Sequence, residues 1–177
     1  YTRGYILPEQ AQAFLHPQAQ AFFDPMLLTD MPQACELINK HIKNNSRIVV
    51  YGDYDVDGVC ATSMLLMYLR GCGANVSYHI PSRHAEGYGM NLAAVERLAA
   101  EGVQLIVTVD NGVKANAELL RCRELGMDAI VTDHHLPGDV LPPCEAILCH
   151  TLAGCCYPNK NICGAGMAFK LIEAHGG

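Results

Sequence analysis

Three short clusters of carboxylates and imidazoles mark the chain: Asp53-Tyr54-Asp55-Val56-Asp57-Gly58, Asp110-Asn111-Gly112 and Asp133-His134-His135. On extended backbone the carboxylates of the first cluster, at i, i+2 and i+4, would project to one side and repel one another. A divalent cation holds such groups together, and oxygen donors beside imidazole suit hard Mg²⁺ or Mn²⁺. If the three clusters meet, they have room for two ions, which describes a dinuclear site for hydrolysis at phosphorus. Two ions roughly 3.5 to 4 Å apart acidify a bridging water and neutralise the non-bridging oxygens, so no Ser-His-Asp or Cys-His arrangement is needed.

Each cluster alone has a plainer reading. Asp-x-Asp-x-Asp-Gly also opens an EF-hand loop, but the twelfth position from Asp53 is Met64, where a calcium loop places a bidentate Glu. Otherwise the first cluster is an acidic turn with Asp57 capping the next helix, the second an ordinary Asp-Asn-Gly turn, and the His pair surface or core filler. The nine cysteines form no C-x-x-C pair and read as reduced, small hydrophobes. The late group Cys149, His150, Cys155, Cys156 and Cys163 fits no zinc spacing, so a soft-metal site there is the weaker reading.

The fold decides whether the clusters meet. Segments 47–51, 75–80, 104–109, 128–132 and 145–149 are rich in Ile, Val and Leu and read as five strands. Between them 59–70, 92–101 and 115–125 have helical spacing, with Gly71, Gly102 and Gly126 where C-terminal glycine caps fall. Nearly continuous apolar strands alternating with helices predict an α/β fold, an open five-stranded, mainly parallel sheet with helices on both faces. Ligands bind such sheets outside the carboxyl ends of the strands, and the clusters follow the first, third and fourth strands. Residues 1–45, with a helix over 31–43, are expected to form an N-terminal helical cap and 46–177 the catalytic domain. Residues 164–174 read as the opening of a further helix.

Half of the 177 residues are hydrophobic, enough for one ordinary core, and the formal net charge is −6. That acidity argues against broad electrostatic cladding of nucleic acid, but it leaves room for a local basic groove or a phosphate-neutralising metal. His84, Lys114, Lys160 and Lys170 are candidates for a modest basic track, with solvated surface as the plainer reading of each. No apolar run approaches a membrane span, so no membrane contact is expected and the cytoplasm is the default location.

The three clusters resemble motifs I to III of the DHH phosphoesterase superfamily. Their surroundings, Tyr51-Gly-Asp-Tyr-Asp-Val-Asp-Gly-Val, Pro81-Ser-Arg-His-Ala-Glu-Gly-Tyr-Gly and Gly164-Ala-Gly-Met-Ala-Phe-Lys-Leu, are similar to its RecJ branch of single-strand-specific 5′→3′ exonucleases. The likeness runs from about Met31 to Leu171. It implies metal ligation by Asp55, Asp57, Asp110 and His134, with Asp110 bridging and Asp53 taking part. His135 would contact the scissile phosphate, and Asp133 would orient a neighbouring imidazole. Arg83 would grip the terminal 5′-phosphate with its forked guanidinium, an ion pair with Glu86 being the alternative. Gly164 and Gly166 would allow close approach of substrate or of a packed helix.

The resemblance further implies Mn²⁺ or Mg²⁺, two ions, as cofactor, and single-stranded nucleic acid, DNA ahead of RNA, as partner in recombination and repair. The family's fourth motif supplies another Asp downstream of the Gly-x-Gly helix, and a second, substrate-binding domain follows it; neither precedes Gly177. The expectation is a fragment with an incomplete metal site and weak or no activity alone. Alternative functions are another DHH phosphodiesterase, acting on cyclic dinucleotides or short oligonucleotides, and a non-catalytic DHH module that binds nucleic acid.

Overall fold

The computed structural model describes residues 4, 6–15, 22–83 and 87–176. Strands β1 (Ile48–Tyr51), β2 (Val76–His79), β3 (Leu105–Val109), β4 (Asp128–Thr132) and β5 (Ala146–Leu148) form one sheet in the order β2-β1-β3-β4-β5. Every neighbouring pair is parallel, so the mainly parallel sheet is wholly parallel among the described residues. The helices are α1 (Pro8–Leu15), α2 (Met31–Lys43), α3 (Val56–Gly71), α4 (Leu92–Ala100), α5 (Asn116–Glu124) and α6 (Gly164–Gly176).

Alternation along each strand divides the apolar residues between two cores. Ile48 and Val50 of β1 and Leu105, Val107 and Val109 of β3 enter one core, closed by α2, α3 and α6 through residues such as Ile38, Leu65 and Leu171. Val49, Tyr51 and Ile106 enter the other, closed by α4 and α5 through Val95 and Leu119. Burial on both faces is why the strands read as continuous apolar runs. Each fully buried Val, Leu or Ile contributes roughly 1.5–3 kcal/mol by leaving water.

Helices α3, α4 and α5 stop at left-handed glycines, Gly73, Gly102 and Gly126, and α2 stops in the same way at Asn45. The reversal of α3 shows the geometry: Gly73 N–H donates to Arg70 O and Ala74 N–H to Leu69 O, both at 3.0 Å. The cap expected at Gly71 is therefore Gly73, and Gly71 ends the helix proper. At its other end α3 begins at Val56 rather than Val59, because Asp55 accepts the Gly58 N–H at 2.9 Å and caps the helix.

After β1 the chain passes into α3 on one face of the sheet, and after β3 it passes into α5 on the other. The two connections diverge and leave a crevice at the carboxyl ends of these adjacent strands, the switch point of a parallel sheet. The Asp53–Gly58 segment and Asp110 stand on its two lips, and Asp133 follows one strand further on. No helix among the described residues is long and apolar enough to cross a membrane.

Candidate metal centre

Asp110 leaves β3 with φ 63, in the left-handed region that a residue with a side chain seldom adopts. Such backbone costs on the order of 1–3 kcal/mol and persists only where its surroundings enforce it. Here the Asp110 N–H donates to Thr132 O at 2.9 Å and Thr108 Oγ1 donates to Asn111 O at 2.8 Å. The turn places the Asp110 carboxylate in the crevice with 2% of the residue exposed. Its Oδ1 makes no hydrogen bond, although His134 Nε2 stands 3.0 Å away. Burial, and then the charges of Asp57 and Asp55, push its pKa up to about 7.

Asp53 is in a similar position. It is buried with Oδ1 unpartnered, and burial with the nearby charge of Asp55 raises its pKa against the Tyr54 amide. Asp110, His134 and His135 offer donor atoms all within 4.8 Å of one another, and Asp53, Asp55 and Asp110 offer a second such set. Asp110 belongs to both. Two buried carboxylate oxygens without hydrogen bonds, inside a like-charged group, lack the compensation that a hard cation gives. The donors are oxygen and imidazole nitrogen only, so the residues present fit Mn²⁺ or Mg²⁺.

The first cluster does not project from one side of a strand. Asp55 caps α3 and Asp57 lies in its first turn, so the carboxylates approach one another because the helix folds back over Asp53. Gly58 permits that contact, since a Cβ there would lie 2.6 Å from the Asp53 carbonyl oxygen. The two Asp57 oxygens accept the Gly164 and Ala165 N–H groups of α6, each at 2.7 Å. Burial alone would raise the Asp57 pKa, but these amides hold it below the ordinary value. With His134 Nε2 at 3.6 Å, Asp57 joins the rim of the centre to α6. At Gly164 a Cβ would come within 2.4 Å of Asp110 Oδ1, whereas at Gly166 it would meet Ile162, making Gly166 a packing glycine.

Asp133 contrasts with Asp110. Its Oδ1 accepts the His134 and His135 N–H groups and faces His135 Nδ1 at 2.7 Å, while Oδ2 accepts the Val113 N–H at 2.9 Å. Burial would raise its pKa, yet the His135 ring and these amides lower it. In return the Asp133 hydrogen bond raises the His135 pKa and favours the imidazolium. His135 borders a cavity of about 290 Å³ that Lys114 and Glu118 also line.

Two tyrosines that sequence reasoning left without a role belong here. Tyr88 places its hydroxyl 3.2 Å from His135 Nε2 and 3.4 Å from Asp110 O. The Arg83 guanidinium rests 4.6 Å above the Tyr54 ring, near enough for its charge to lower the Asp53 pKa. Both tyrosines lie inside the quoted motifs, and that proximity was the available signal. Glu86 and His84 lie outside the described residues.

Other expectations need correction. Lys170 is neither track nor solvated surface: it is 1% exposed, donates to Phe23 O at 2.9 Å and Glu173 at 2.6 Å, and sits among the rings of Phe22, Tyr157 and Phe169. Lys160 is occupied with the carbonyls of His150 and Cys155. All nine cysteines are free thiols, and among the described residues the late Cys and His residues form no metal-ligating set. His150 is buried against Ile162 O instead. Among the described residues, only the two sets sharing Asp110 gather metal-ligating atoms.

Comparison with known proteins identifies the arrangement. The model of the DHH family, N-terminal domain, matches residues 47–177. The chain is 43% identical over 172 residues to the single-stranded-DNA-specific exonuclease RecJ of Bacillus subtilis (strain 168), covering 97% of this chain and 22% of that protein. It is 42% identical over 148 residues to the RecJ of Escherichia coli (strain K12), covering 83% of this chain and 26% of that one. A crystal structure of exonuclease RecJ bound to manganese superimposes with a TM-score of 0.77 at 37% identity, covering 84% of this chain and 37% of that one. The chain thus spans 22% to 26% of the length of these curated relatives. With the family model matching all five strands and the three clusters on their carboxyl edge, the chain belongs to the DHH family.

Proposed function

We propose that the chain is the metal-dependent phosphodiesterase core of a 5′→3′ exonuclease acting on single-stranded DNA in recombination and repair, working in the cytoplasm. One observation carries the reading: Asp110, a buried carboxylate with no hydrogen bond at Oδ1, is shared by two donor sets. The names of its relatives supply the substrate, single-stranded DNA, and the manganese-bound RecJ supplies the cofactor class.

Asp53, Asp55, Asp110 and His134 would hold Mn²⁺ or Mg²⁺, two ions, with Asp57 at the margin, while His135, although within reach of Asp110 and His134, is assigned to the phosphate instead. Once bound, the ions supply an acidified water as nucleophile and neutralise charge on the phosphate. His135 is turned by Asp133 so that Nδ1 is engaged and Nε2 faces the Tyr88 hydroxyl. As the imidazolium, which the Asp133 hydrogen bond favours, it would donate from Nε2 to a non-bridging phosphate oxygen as negative charge collects there. Arg83, supported by Tyr54, takes the terminal 5′-phosphate in a bidentate grip, which sets the polarity of degradation.

The test uses a 5′-labelled single-stranded oligonucleotide with Mn²⁺ and the full polypeptide that carries this chain. Release of labelled mononucleotide is expected. An intact label, with a cyclic dinucleotide cleaved under the same conditions, would move the assignment to another DHH branch.

A further inference from the structure

We infer that Thr151, beyond the end of β5, is a positioning residue that fixes the backbone of His135 and so aims its imidazole. The inference rests on the phosphate-facing role given to His135 above. Thr151 Oγ1 donates to His135 O at 2.7 Å, and Cys149 Sγ approaches the same oxygen at 3.5 Å. The two donors also touch each other, Sγ to Oγ1 at 3.0 Å. A carbonyl oxygen has two acceptor positions, and the segment after β5 addresses both.

The sheet explains why this segment is in place. Asp133 N–H donates to Leu148 O at 3.0 Å, carrying the β4–β5 pairing one step past β4, so Cys149 and Thr151 run beside the Asp-His-His turn. Residues 133–144 contain no helix or strand, and the His135 carbonyl therefore has no regular backbone partner to fix it. His135 is held from opposite sides: Asp133 takes its N–H and ring Nδ1, and Thr151 takes its C=O. The second ring nitrogen, Nε2, faces the Tyr88 hydroxyl at 3.2 Å. A β-branched hydroxyl has few rotamers, so it sets the carbonyl direction more tightly than a flexible donor. Replacing it by a methyl group leaves a partly buried carbonyl one donor short.

The experiment compares Thr151→Val, which keeps the shape, with Thr151→Ser, which keeps the hydroxyl. Three quantities are read on the 177-residue chain: Mn²⁺ affinity by calorimetry, inorganic phosphate affinity of the Mn²⁺-loaded form, and the His135 ring resonances by NMR. Thr151→Val is expected to keep Mn²⁺ affinity near that of the unaltered chain, to move the ring resonances, and to weaken phosphate binding roughly threefold to tenfold. Thr151→Ser restores the last two. Unchanged ring resonances and phosphate affinity in a folded Thr151→Val chain overturn the inference, as does a Thr151→Ser chain that behaves like Thr151→Val. If Thr151→Val does not fold, Cys149→Ala removes the weaker donor and should shift the same resonances by less, and no shift again overturns the inference. Absence of Mn²⁺ binding in the unaltered chain would defeat the metal-centre reading instead, and the ring resonances of the metal-free chain would still decide the role of Thr151.

Discussion

Asp110 and Asp133 end adjacent parallel strands, and both are almost wholly buried, yet the protein treats them in opposite ways. Asp133 accepts four hydrogen bonds and is held ionised. Asp110 is bent into left-handed backbone, leaves Oδ1 without a hydrogen bond and has its pKa pushed up to about 7 by burial and neighbouring acids. A carboxylate with every acceptor position used organises the chain around it. One left strained and unsatisfied retains its bonding capacity for something from outside. The difference separates an orienting residue from a ligand more clearly than burial or strand position does.

The largest expected break in this comparison is in stability. Asp133→Ala strands the Val113, His134 and His135 amides and should cost about 3 kcal/mol or more in chemical denaturation of the metal-free chain. Asp110→Asn removes a buried charge crowded by Asp57 and Asp55 and should leave that stability unchanged or raise it by about 1 kcal/mol. Equal losses in the two variants would erase the distinction.

The next effect falls on metal affinity. Gly164→Ala drives a methyl group against Asp110 Oδ1, where the Cβ would stand at 2.4 Å, and should weaken Mn²⁺ binding about 10- to 100-fold. Gly166→Ala is the matched control, because its Cβ would press on Ile162 and on no carboxylate. Calorimetric titration of both variants, with helix content followed by circular dichroism, shows whether α6 acts on the centre through that one contact.

The smallest effect concerns a third carboxylate, Asp128, on the amino end of β4. Burial would raise its pKa, but hydrogen bonds from His41 at 2.9 Å and Lys40 at 3.0 Å lower it from the ordinary 3.8. A lowered carboxylate pKa stabilises the fold above the unfolded value, and that contribution disappears as pH falls through the folded value. The melting temperature of Asp128→Asn should therefore vary less with pH below 3.8 than that of the unaltered chain, with a difference of a few degrees at most.

Much of this was legible in the sequence because strands buried on both faces must be apolar throughout and parallel strands must alternate with crossovers. Segments 104–109 and 128–132 show this, each holding its strand nearly residue for residue. The three clusters were legible as strand ends, and the topology joins them. Less legible were features set by single long-range contacts. Nothing local distinguishes Asp57, held by α6 amides more than a hundred residues later, from Asp55, which caps its own helix. Lys170 was misread because two of its three aromatic neighbours, Phe22 and Tyr157, come from outside its own helix. The shift of the α3 cap from Gly71 to Gly73 has a nearer cause: both glycines can stop a helix, and two further residues of helical backbone decide between them.

The most direct test of the metal-centre claim is calorimetric titration of the chain with Mn²⁺, set beside Asp110→Ala and Thr108→Val, the latter removing the hydroxyl that holds the turn while keeping the carboxylate. Measurable binding to the unaltered chain is expected, with loss of at least a hundredfold, about 2.7 kcal/mol, in Asp110→Ala and a smaller loss in Thr108→Val. An isotherm for Asp110→Ala that overlays the unaltered one would contradict the metal-centre claim.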